Sequence, residues 1–252
     1  MQGYQNNFIT NFIIKLDFYN DTKEFATEIP ADIVNVIKEN FPRVQPTRVL
    51  ESSLEVSETK TSRQDVNFPQ WIYTDNKNQN KIVINKKYIS IESITYESFK
   101  KIEDLFHPLL EKIFNIPNIQ VSRVGIRYIN QLRKHRNFFN DINKISDWKK
   151  YINSDLISNI SFIDEFNTSN LISSIEMNYD GFMVRFKYGI NNINYPLPIK
   201  EPNFILDYDG FTTNLITSME DFKEIEENIH TKIEELFEKS INEELRNVLD
   251  GK

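Results

Sequence analysis

Cysteine is absent from this 252-residue chain, which excludes disulfides, zinc–cysteine sites, iron–sulfur clusters and thiol nucleophiles. The 6 glycines are scattered over the whole length and cannot form a glycine-rich phosphate loop, so nucleotide hydrolysis of the P-loop type is excluded too. With only 9 prolines besides, the composition argues against linkers, fibrous repeats and disorder. No apolar run approaches the ~20 residues that cross a bilayer. Met1–Thr10 is polar and lacks the basic start and apolar middle of a secretion signal. A cytoplasmic protein with no membrane partner is the expectation. Of the 3 histidines, none has a second at metal-ligand spacing, and neither a cofactor nor a metal site is expected.

What is present can fill a sizeable core. Hydrophobic residues make up 39% of the chain, and 19 Phe and 11 Tyr stand against 2 Trp. This length suits one large domain or two fused small units. The net charge of −7 is unevenly spread. Met219–Lys252 alone holds 11 acidic and 5 basic residues, so the rest is close to neutral. An acidic last helix, with Glu226, Glu227, Glu234 and Glu238 expected to be solvated, on a neutral body leaves room for a basic face elsewhere.

Phe12, Ile14, Leu16 and Phe18 alternate with Asn11, Ile13, Lys15 and Asp17, the period of a half-buried strand. Pro30 then opens a helix with Ile33, Val34, Val36 and Ile37 as its stripe, ending at Phe41 and Pro42. Strands follow at about 49–57, 70–74, 81–85 and 88–93. A helix over about 97–114 closes this half, and Pro108 is expected to kink or split it. The second half runs in the same order: a strand at about 120–132, a helical stretch over 146–157, and a hairpin of 171–179 and 182–190 around Asp180 and Gly181. A strand over 204–208 ending at Asp209 and Gly210, and a long helix over 219–248, complete it.

Strand, helix, several strands and a long helix thus appear twice, in residues 1–116 and 117–252. The expected fold is α+β, one integrated structure built from a duplicated unit. Its two sheets join into one curved antiparallel sheet with the long helices on one face, in a TATA-binding-protein-like or helix-grip arrangement.

The run Arg123, Val124, Gly125, Ile126, Arg127, Tyr128, Ile129 and Asn130 is the most distinctive stretch. Together with the Pro-started helix ending Phe41-Pro42, Trp71, the run Leu206 to Asp209, and His230 before Phe237, it resembles a sporadically distributed bacterial family of hypothetical proteins of about this length. The resemblance spans most of the chain. It implies a bacterial protein of patchy distribution, of the kind carried by mobile or defence-related loci. It implies no activity.

In that strand Val124, Ile126 and Tyr128 share one face and suit a helix-covered core. Arg123 and Arg127 share the other, about 13 Å apart, with Gly125 between them leaving room for a close approach. Arg185 and Lys187 alternate likewise with Phe182, Val184 and Phe186. Arg123, Arg127, Arg185 and Lys187 are therefore the candidate ligand-binding residues, on a sheet face free of helices. Cross-strand acids such as Glu51, Glu55, Glu176 or Asp207 are the competing partners for them. The basic run Arg133–Arg136 would enlarge the face or form a solvated loop tip.

No catalytic residues are identified. Asp207 and Asp209 fall on one side of a strand, as a divalent-metal pair would, but Asp209 before Gly210 reads better as a turn. Glu55, with Glu58 and Lys60, only weakly resembles a metal-dependent nuclease pattern. The expected function is a non-enzymatic binding protein that engages a protein partner through its open sheet face or its acidic last helix. The alternatives are a nucleic-acid or nucleotide-signal binder and a metal-dependent hydrolase.

Overall fold

The computed structural model describes residues 4–56, 61–133 and 138–252. The first alternating segment forms β1 (Ile9–Phe18), and its Phe12, Ile14 and Leu16 are almost wholly buried. Ala31–Asn40 is α1, with Pro30 just ahead of it and Ile33 and Ile37 inward. Next come β2 (Arg43–Val56) and β3 (Thr61–Thr74), each 14 residues long, then β4 (Asn80–Asn85) and β5 (Tyr88–Ser93). The first two strands are longer than expected, because they pair along their whole length, from Arg43 with Thr74 to Val56 with Thr61.

Phe99–Phe114 forms α2 as one unbroken helix, so Pro108 does not split it. The hydroxyl of Ser98 caps it by accepting from the Lys101 N–H. After β6 (Val121–Leu132) the expected helix over 146–157 is not formed. Two 3-10 turns, Ile145–Lys150 and Ser158–Phe162, stand in its place. Asn153 takes the Asp155 N–H on its side chain, the local competition by which Asn, Ser and Asp interrupt helices. Ile152 instead makes a β-bridge to Ile241. Trp148 anchors the segment, fully buried and donating Nε1–H to the Pro202 carbonyl at 2.6 Å.

Leu171–Tyr179 and Phe182–Ile190 are β7 and β8, a hairpin whose Gly181 sits at φ +82°, a conformation open to glycine. Phe204–Thr212 is β9. It runs straight through Asp209 and Gly210, so these residues do not make the expected turn. The last helical stretch is likewise two pieces, α3 (Met219–Ser240) and α4 (Glu243–Leu249). The break falls where Ile241 adopts an extended backbone to meet Ile152. Ser240 Oγ bonds back to the Leu236 carbonyl and accepts from Tyr208.

Among the described residues these strands form one antiparallel nine-stranded sheet, in the order β2-β3-β4-β5-β1-β6-β9-β8-β7. The protein is therefore α+β. β1 and β6 pair at the centre, in the register Ile14 with Ile126 and Leu16 with Val124. Phe12, Ile126, Tyr128, Leu206 and Tyr208 enter one continuous core with Phe106, Leu110, Phe222, Ile229 and Ile233 from the helices. Each such side chain contributes about 1.5–3 kcal/mol by its burial. Gly210 lets α3 come close: a Cβ there would fall 2.4 Å from Ile229 Cγ2.

Candidate functional site

The four cationic side chains singled out from the sequence do share one surface, opposite the helices. Register places them there. Arg185 of β8 and Arg127 of β6 both lie across from Asp209 of β9, while Lys187 lies across from Asp207. Asp17 of β1 faces Arg123 on the other side of β6. The face is thus a lattice of alternating charges.

Arg127 is bidentate to Asp207, with Nε to Oδ1 at 2.7 Å and Nη2 to Oδ2 at 2.6 Å. These charge-assisted bonds raise the guanidinium pKa further. Arg185 Nε donates to Glu176 Oε1 at 2.7 Å. Arg123 lies 3.8 Å from an Asp17 oxygen and 3.9 Å from an Asp209 oxygen, and its guanidinium stacks 4.7 Å from the Phe211 ring centre. A Cβ on Gly125 would fall 2.8 Å from Arg123 Nη1, so Arg123 occupies the room that the glycine was expected to leave for a ligand. Lys187 is exposed. Burial pushes the Asp209 carboxyl up, while Arg123, Arg127 and Arg185 pull it down.

Asp207 and Asp209 do share this face, yet each is held among guanidinium groups, which oppose a metal ion there. Glu51 pairs with Lys87 instead of the central cations. Glu58, Lys60 and Lys134 to Arg136 lie outside the described residues, as does the Glu55 side chain. Arg133, next to that basic run, donates to Gln131.

A second polar cluster, which the strand-based reading missed, lies between the long helices on the covered side. Glu226 was expected to be solvated but is only 1% exposed, because α2 packs over it. Its Oε2 meets His107 Nε2 at 2.7 Å, and burial raises its pKa against the pull of His107. His230 is buried too, stacked on Phe99 with ring centres 3.8 Å apart. Its Nδ1 lies 2.9 Å from the Tyr128 hydroxyl. Burial drives its pKa down to about 3, so the ring is neutral, and its Nε2 lies 3.5 Å from Glu234 Oε1. The sequence carried a signal for this cluster: Glu103 and His107 on one helix, and Glu226 and His230 on the other, share the i,i+4 spacing. Compared with known proteins, the chain matches no protein-family model and no curated protein.

Proposed function

We propose that this is a non-enzymatic binding protein that engages a protein partner through the open face of its sheet. The observation that carries this reading is the pairing of the cations. Arg123, Arg127 and Arg185 each have a carboxylate beside them. A phosphate-binding surface presents uncompensated positive charge, whereas a mixed lattice suits a partner surface of matching mixed charge. The loops at the β7–β8 edge add apolar anchors. They are tied together by the Ile199 N–H bonded to the Thr168 carbonyl. They also expose Phe166, Ile193 and Tyr195 at 85%, 84% and 69%. Exposed apolar groups gathered in this way mark interaction sites.

The same reading takes residues 1–116 and 117–252 as copies of one strand-helix-strands-helix unit, in a TATA-binding-protein-like or helix-grip-like curved sheet. The central placement of β1 and β6, the first strand of each half, supports it. A cytoplasmic bacterial setting in a mobile or defence-like locus rests on the resemblance of the β6 motif. Nucleic-acid or nucleotide binding is the second reading, favoured by the exposed Lys187 and the looser contacts of Arg123. Metal-dependent hydrolysis at Asp207 and Asp209 has the least support, for the reason of charge given above.

Site-specific photo-crosslinking in a bacterial host separates the readings. Photoreactive side chains at Lys187 and Tyr195 are expected to give discrete protein adducts that a control at Lys38 on α1 does not. Adducts to RNA or DNA, with binding lost in the R123E/R127E variant and steeply weakened by salt, would replace the protein-partner reading. Identical results at all three positions would remove it.

A further inference from the structure

The sheet face leaves one feature of the opposite side without a role: a buried carboxylate oxygen that meets no hydrogen-bond partner among the described residues. Glu226 reaches His107 through Oε2, while its Oε1 is buried and unbonded among those residues. A buried acceptor left unsatisfied is costly, and native proteins keep few of them. Glu103 stands one turn before His107 on α2. One ligand atom from each of Glu103, His107 and Glu226 lies within 4.8 Å of the others.

We propose that Glu103, His107 and Glu226 bind one divalent transition-metal cation that clamps α2 to α3. The donor set defines the class. One imidazole nitrogen and two carboxylate oxygens suit zinc, manganese or iron(II), whereas magnesium and calcium favour all-oxygen shells. The spacing fits as well. Bonds of about 2.1 Å in a tetrahedral shell put ligand atoms about 3.4 Å apart, a separation reached here by small rotamer adjustments. Phe222 closes one side, edge-on to His107 with ring centres 6.2 Å apart. On the other side a groove of about 590 Å³ runs between the helices, lined by Glu103, Glu227, Glu234 and Glu238 with Lys100 as its cation. An approaching cation thus meets a negative channel. Three protein ligands leave at least one position for water. Because α2 belongs to residues 1–116 and α3 to residues 117–252, the cation would join the two halves on the side away from the charged sheet face. Its occupancy is independent of what that face binds.

The test uses the full chain, stripped with a chelator and returned to buffer. Titration with Co²⁺, followed by its visible absorption, reports ligand number and geometry, and competition with Zn²⁺ reports affinity. The expected result is one equivalent per chain, with affinity at least ~10-fold weaker in both E226Q and E103Q, a loss typical of disturbed metal sites. E226Q keeps an acceptor for His107 and E103Q changes a side chain that is 23% exposed, so both are expected to fold, as circular dichroism will verify. Zn²⁺ is expected to raise the melting temperature of wild type but not of E226Q. A folded wild type that takes up none of Co²⁺, Zn²⁺ or Mn²⁺ overturns the proposal and leaves Glu226–His107 as a simple buried hydrogen-bonded pair. So does equal uptake by wild type and both variants, which would place the cation elsewhere. Tighter binding of Mg²⁺ or Ca²⁺ than of Zn²⁺ would overturn the assigned class.

Discussion

Arg127 and Asp207 are joined by two parallel hydrogen bonds, although they are not opposite each other in the ladder. Arg127 lies across from Asp209, and Asp207 lies across from Ile129. The guanidinium therefore reaches diagonally, while Asp209 lies 3.9 Å from Arg123 and Arg185 bonds to Glu176. Each of the three guanidinium groups thus has a carboxylate beside it, and all three still pull the Asp209 carboxyl down electrostatically.

The pair itself is open to a double-mutant cycle. Asp207 is largely buried, while the Arg127 side chain is 39% exposed, so solvent screens part of the attraction. R127A is expected to cost about 1–2 kcal/mol, chiefly by stranding the carboxylate. Urea unfolding of R127A, D207A and the double variant is expected to give a coupling of about 1 kcal/mol. A coupling of zero would show that solvent screening is complete.

Gly210 offers a packing test. Adding one methyl in G210A drives it against Ile229 Cγ2 and Ile233 Cδ1, groups in a fully buried interface that cannot swing aside. A loss of about 1–3 kcal/mol is expected, the usual cost of overpacking. The double variant G210A/I229A is expected to lose less than the sum of its parts. Additive losses in thermal melts would mean that α3 does not rest on β9 at this point.

His230 makes stability depend on pH. Its pKa falls from 6.5 to about 3 on folding, so between these values the unfolded chain binds the proton that the folded chain refuses. Stability from this source is complete above about pH 6.5 and is lost as the pH falls. The slope approaches about 1.4 kcal/mol per pH unit. Glu226 acts in the opposite sense near its own titration, since its raised pKa favours the protonated folded form at low pH. Urea midpoints measured from pH 7 to pH 5 are expected to fall in wild type and to fall less steeply in H230Q. Parallel curves would show that His230 is protonated in the folded state.

How much of this was legible in the sequence depended on which force decided each element. The bounds of β7 and β8, and the inward set of β1 and β6, follow from strict alternation, because a one-residue slip would expose large apolar groups on every strand. The placement of Arg123, Arg127, Arg185 and Lys187 on one face follows from the same rule. Two of the competing acids, Glu176 and Asp207, do hold Arg185 and Arg127, but strand periodicity carries no information about the register that set Asp209 across from two arginines. Asp209 and Gly210 read locally as a turn, yet Gly210 serves the approach of Ile229. Glu226 read as solvated because the periodicity of one helix cannot show that a second helix covers it. In the segment 145–162, side-chain hydrogen bonds and a single β-bridge outweighed a helical pattern.

The central seam between β1 and β6 bears on how the chain is made. β5 ends at Ser93 and can pair with β1 as soon as it leaves the ribosome, but the other edge of β1 has no neighbour until β6 is complete at Leu132. At ordinary translation speeds that interval lasts a few seconds. Throughout it, the chain holds an open edge lined by Phe12, Ile14 and Leu16, the kind of surface that recruits other nascent chains. Slower synthesis across residues 94–132 is therefore expected to lengthen the time for which that edge of β1 stays unpaired, an exposure that the finished fold no longer shows.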